Sequence, residues 1–135
     1  MEKGNFISRI AKFVGFILLI VASIHSTVGT AEVVTNIKVG GIMPSLVQVF
    51  KNVWVYSSMM LFLSGIWVLF LARDLGRFQR RAWWQGILVG LGYAGGSITA
   101  MVWAGIQAPL VLTFMLGVVL LVPLLMRSRA FKSDS

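Results

Sequence analysis

The sequence predicts an all-α integral membrane protein, a four-transmembrane-helix bundle with its N-terminus and C-terminus both on the cytoplasmic side. Three observations carry that expectation. Of the 135 residues, 58% are hydrophobic and 12% charged, about half the roughly 25% charge that keeps a soluble domain wetted. Uncharged stretches cover residues 13–31, 52–72 and 82–126, lengths of 19, 21 and 45, and a span needs about 20 apolar residues to cross a hydrocarbon core of about 30 Å. Ten of the twelve Lys and Arg fall in three clusters: Lys3, Arg9 and Lys12 before the first stretch, Arg73, Arg77, Arg80 and Arg81 after the second, and Arg127, Arg129 and Lys132 after the third. Only Lys38 and Lys51 are left for the opposite side, so the positive-inside rule sets N-in and C-in.

Helix one is expected over about residues 10–38. A basic start before an apolar stretch resembles a signal peptide, but the stretch outruns the 7 to 15 residues of a typical signal core, and an even helix count needs it retained. Residues 32–51 form the external segment. Gly40-Gly41 followed by Pro44-Ser45 stops one helix and starts another, so helix two is placed over 44–73; an interfacial amphipathic piece is the alternative for part of this segment. A basic cytoplasmic loop, 73–81, leads to helix three at 82–106. Gln107-Ala108-Pro109 supplies the break inside the long third stretch, with proline opening helix four at 109–127.

Composition narrows the chemistry. With no cysteine and one histidine among four acids, thiolate catalysis, disulfide exchange and a self-contained transition-metal site are excluded. A haem held by two histidines of one chain is excluded as well, leaving His25 with Met59, Met60 or Met101 as the minor alternative; the sequence otherwise implies no cofactor. The net charge of +8 mostly reports topology, because the basic residues are split among three short segments beside spans, so no nucleic acid is expected as a partner. The partners it implies are the lipid bilayer and a second copy or a larger membrane complex.

Packing signals are of two kinds. Gly86-x-x-x-Gly90 and Gly92-x-x-x-Gly96 place small residues one turn apart on helix three, which allows close helix approach. Trp54, Tyr56, Trp83, Trp84 and Trp103 fall near predicted span ends, where amphipathic rings prefer the headgroup boundary. Phe78, among Arg77, Arg80 and Arg81, is suited to rest on the inner leaflet. Pro123 is expected to kink helix four.

One place concentrates polarity inside the spans. Gly15, Ala22, Gly29 and Asn36 repeat at sevens, beside Leu18, His25 and Glu32, so small residues and an ionisable pair share a heptad seam facing protein. The external halves are also richer in hydroxyls and amides, with Ser23, Ser26 and Thr27 in helix one, Tyr56, Ser57 and Ser58 in helix two, and Ser97, Thr99 and Gln107 in helix three. Intramembrane ionisable groups are costly and raise a functional reading by default. The candidate ligand-binding residues are therefore His25, Glu32, Ser26, Gly29, Tyr56 and Ser57, around an outward-facing polar pocket.

No catalytic constellation is visible, because His25 lacks a partner set for acid–base work. The sequence thus reads best as a non-enzymatic accessory or ligand-binding helical bundle of a bacterial inner membrane. The alternative is a proton-linked transporter of a small molecule or lipid, acting as a homo-oligomer, with His25 and Glu32 as the proton-carrying pair.

Overall fold

The computed structural model describes residues 2–29, 31, 35 and 44–131. Helix α1 (Glu2–Ile24) runs into a π-helical turn, His25–Gly29, and is followed by α2 (Pro44–Gly76), α3 (Arg80–Ala104), α4 (Ala108–Met126) and a short 3-10 turn, Ser128–Ala130. Among the described residues, four segments are long and apolar enough to cross a membrane: Phe6–Gly29, Leu46–Gly76, Arg80–Trp103 and Ala108–Met126. The chain divides into two compact units, Met1–Val14 with Trp67–Ser135, and Gly15–Ile66.

The helix ends follow from local chemistry. The segment carrying Arg9 and Lys12 is helical from Glu2, earlier than expected, since Lys and Arg are good helix formers and no proline precedes residue 10. Likewise α2 continues through Arg73 to Gly76, so the 73–81 connection shrinks to three residues. Phe78 then reverses the chain with φ +57, a left-handed conformation that a bulky side chain rarely adopts. Gly105, at φ +81, ends α3 two residues before the expected boundary, and its N–H returns to the Met101 carbonyl. Pro109 sits in the first turn of α4 as predicted, where its missing N–H leaves no helical bond unmade. The expected continuation of helix one beyond 29 lies mostly outside the described residues.

In the unit of Met1–Val14 with Trp67–Ser135, α3 and α4 pack backbone to backbone. A Cβ on Gly117 would lie 2.7 Å from the Ala94 nitrogen and 2.8 Å from the Gly90 oxygen, and one on Gly90 would meet Leu121 at 2.6 Å. Two polar links cross this contact. The buried Trp83 indole N–H donates to the Leu124 carbonyl at 2.9 Å, and the Ser97 and Thr113 hydroxyls pair at 2.8 Å. Trp83 is only 7% exposed, so it is a latch between helices rather than the interfacial anchor expected; Trp84 and Trp103, by contrast, are exposed. Phe78 also turns inward. Its ring meets the buried Phe131 edge-on, centroids 5.3 Å apart, which joins the segment after α4 to the α2–α3 connection.

In the unit Gly15–Ile66, the α1 segment meets the α2 segment along a small-residue seam. A Cβ on Gly65 would lie 3.1 Å from the Gly15 oxygen, so the two backbones cross closely at that point. Within this unit Trp54, Ser58, Leu61 and Gly65 of α2 are buried or half-buried at spacings of four, three and four, the spacing of a face turned to a neighbouring helix.

Candidate functional site

The candidate site lies within Gly15–Ile66, where α1 widens into the π turn. Ser23, Ser26 and Thr27 explain the local weakness of the α ladder. The Ser23 hydroxyl donates to the Leu19 carbonyl at 2.9 Å, and the Ser23 carbonyl itself receives the Ser26 and Thr27 hydroxyls at 3.0 and 2.8 Å. Hydroxyls that bond back to carbonyls one turn earlier compete with backbone N–H groups and bend helices. Single π turns inside α-helices recur at functional positions.

Trp54 of α2 fills the widened turn. Its indole N–H donates to the His25 carbonyl at 2.9 Å across 29 residues, and its ring lies against the His25 imidazole, centroids 3.9 Å apart and 35° between planes. Gly29 gives the ring its other wall: a Cβ there would come within 2.6 Å of the Trp54 ring. His25 and Gly29, four residues apart and so on one helical face, thus clasp a single indole. The place of Trp54 near a predicted span end suggests a membrane-boundary role, and the structure gives the half-buried ring this contact between helices as well. The signal that marks it is the register, since Trp54 stands four residues before Ser58 and eleven before Gly65 on the α2 seam.

Beside the clasp is a groove of about 310 Å³, lined by Ala22, Ser23 and Ser26 on one side and by Ser58, Met59 and Phe62 on the other. Its length falls between the close crossing at Gly15 and Gly65 and the indole at Trp54, which props the helices further apart. Ser58 is 6% exposed, and its hydroxyl donates to the Trp54 carbonyl at 3.0 Å. With their protons directed at their own helices, the Ser23 and Ser58 oxygens present acceptor lone pairs to the groove. It therefore offers apolar surface and hydroxyl acceptors, suited to an apolar molecule carrying a hydrogen-bond donor.

Of the six candidate residues, the structure brings three to this region. His25 and Gly29 form the clasp, and Ser26 lines the groove. Tyr56 is 66% exposed, and the exposed Ser57 donates its hydroxyl to the Val53 carbonyl at 2.8 Å; neither lines the groove. The neighbouring Ser58 does so instead, because one residue on a helix is a rotation of about 100°. Glu32 lies outside the described residues. Ser97, expected among the polar groups of the same level, is bonded to Thr113 within the α3–α4 contact. The ionisable side chains described in this unit are His25, Lys51 and Tyr56, and none is part of the groove wall.

Comparison with protein-family models, with curated proteins and with solved structures finds no match to this chain.

Proposed function

We propose that this chain is a multi-pass protein of a bacterial plasma membrane, with both termini and the short basic connection between α2 and α3 on the cytoplasmic side. In this reading it binds a small apolar molecule and catalyses no reaction on it. The observation that supports binding is the groove itself, open between two helices held apart by Trp54 and edged by the Ser23, Ser26 and Ser58 oxygens. A serine needs an adjacent base to act as a nucleophile, and these hydroxyls are directed at backbone carbonyls, with no ionisable side chain along the wall among the described residues. Orientation is supported by the placement of ten of twelve basic residues.

A second reading, an accessory subunit or homo-oligomer, is favoured by a different observation. A methyl group added at Gly92, Gly95 or Gly96 of α3 would meet no atom within 4 Å, whereas the space at Gly86 and Gly90 is filled by Leu124 and Leu121. Open glycine faces are where membrane helices approach one another.

Purification from native membranes in mild detergent, followed by native mass spectrometry, separates the two. The groove reading expects a retained small molecule that is lost in Ser26→Leu and kept in Ser57→Ala. A stoichiometric protein partner, retained in Ser26→Leu and released by Gly92→Leu, would replace it with the accessory reading.

A further inference from the structure

The unit Met1–Val14 with Trp67–Ser135 holds a groove of about 390 Å³ where α2 ends and α3 begins. The buried Leu71 and Ala82 form its floor, and the exposed rings of Trp67 and Phe70 form an apolar wall. Asp74, Gln79, Arg81 and Gln85 supply the polar part. On α2 the lining positions 67, 70, 71 and 74 recur at spacings of three, one and three, which is one helix face. From Asp74 back to Trp67 that face runs about 10 Å at 1.5 Å per residue. The groove is therefore polar at the ends of the two apolar segments Leu46–Gly76 and Arg80–Trp103 and apolar along α2 from there.

Two opposite charges share this groove without meeting. Among the described residues, neither the Asp74 carboxylate nor the Arg81 guanidinium has an ion-pair partner. Arg80, the neighbouring cation, is turned to other contacts: its guanidinium stands 4.4 Å from the Trp83 ring centroid and reaches the Ser128 carbonyl at 3.5 Å. Nor does either groove charge serve its own helix. Asp74 lies in the last turn of α2, where unpaired carbonyls carry partial negative charge, and Arg81 in the first turn of α3, where unpaired N–H groups carry partial positive charge. Gln79 immediately precedes α3, yet its side chain makes no capping bond, so its amide is left to the groove. A ligand complementary to this set brings a cation to Asp74, an anion to Arg81 and an apolar stem to Trp67 and Phe70. An ammonium offers three N–H donors to carboxylate and amide oxygens, and a guanidinium matches phosphate oxygens two at a time. A purely anionic headgroup would be repelled by Asp74, and a quaternary ammonium has no N–H to donate.

We propose that this groove binds one zwitterionic phospholipid with a primary-amine headgroup, of the phosphatidylethanolamine class, its ammonium at Asp74, its phosphate at Arg81 and its apolar part along Trp67 and Phe70. The inference rests on the membrane reading above and is independent of the groove in Gly15–Ile66. The test incorporates the full chain into nanodiscs of equal phosphatidylethanolamine and phosphatidylcholine, then counts retained lipids by native mass spectrometry after transfer to mild detergent. One phosphatidylethanolamine is expected to stay, preferred about tenfold over phosphatidylcholine, the low end of what a hydrogen bond to a charged group contributes. Asp74→Asn should remove the preference and Arg81→Gln should lower retention of phosphatidylethanolamine, whereas Arg77→Gln, which alters an exposed charge outside the groove, should do neither. Stepwise N-methylation of the lipid amine tests the same contact on the unaltered chain, with retention expected to fall as N–H donors are lost, so the outcome does not depend on a variant that folds. Equal losses from Arg81→Gln and Arg77→Gln would overturn the proposal in favour of diffuse surface charge. So would a preference that survives in folded Asp74→Asn, or retention that is unchanged by N-methylation. Displacement of the lipid by millimolar glycerophosphoethanolamine would overturn it in favour of a soluble zwitterion. A chain that does not enter nanodiscs overturns the membrane reading too, whereas one that enters without preferring phosphatidylethanolamine overturns this inference alone.

Discussion

The α3–α4 contact and the α1–α2 contact within Gly15–Ile66 both depend on glycine, but the atoms that meet each glycine differ. At Gly117 the neighbours are backbone atoms, the Ala94 nitrogen and the Gly90 oxygen, which cannot move without moving a helix. At Gly29 the neighbour is the edge of the Trp54 ring, a side chain with two rotatable bonds. Backbone meeting backbone closes the space between helices, and the hydroxyl pair Ser97–Thr113 and the Trp83 N–H then join across it. An indole meeting glycine holds the helices apart by the thickness of the ring, and the groove beside Ser23 and Ser58 is the space left over. Small residues in a membrane helix thus produce either a closed seam or a prop, depending on what the partner presents.

That contrast can be broken by substitution. The largest effect is expected at Gly117→Val, where the new atoms meet backbone on the facing helix; a loss of roughly 3 kcal/mol or more is the scale of severe overpacking, read as a fall in the detergent-denaturation midpoint by circular dichroism. Trp54→Ala should come next, at about 2 kcal/mol, below the roughly 3–5 kcal/mol of a fully buried Trp truncation because the ring is only half-buried. Trp54→Phe keeps the prop but not the N–H, so about 1 kcal/mol should separate it from wild type. If Trp54→Phe matches Trp54→Ala instead, the bond to the His25 carbonyl, and not the ring's bulk, holds the clasp. The smallest effect is expected at Gly92→Ala, within about 0.5 kcal/mol of wild type, since nothing lies within 4 Å of the added methyl. A drop as large as that of Gly117→Val would mean that a second chain occupies this face.

Much of the architecture is legible in the sequence. The four apolar segments, the Pro109 start of α4 and the packing role of the Gly86 and Gly90 pair are all readable from spacing alone, and the column of Gly15, Ala22 and Gly29 does turn toward protein. The candidate site is legible in part. Its level in the first span follows from the hydroxyls and His25, but the expected facing residues on α2 stand one position out of register, at Ser57 rather than Ser58. Tyr56 and Ser57 stand out by polarity, and polarity does not mark the seam, because Ser57 and Ser58 are identical in type and apolar residues such as Val55, Met59, Met60 and Phe62 surround them on α2.

The sequence by itself therefore determined the helices and where along the chain the basic charge gathers, because both follow from local terms: the transfer of apolar residues out of water, the missing N–H of proline, the positions of Lys and Arg. Only the tertiary structure decided which face of each helix is used. In a soluble helix the polar face marks the outside. Lipid is as apolar as a protein core, so a membrane helix carries no such mark, and the roles of Trp54 and Trp83 as latches, of Phe78 as a partner for Phe131 and of Ser58 as groove lining depended on rotations of the helices that packing alone sets.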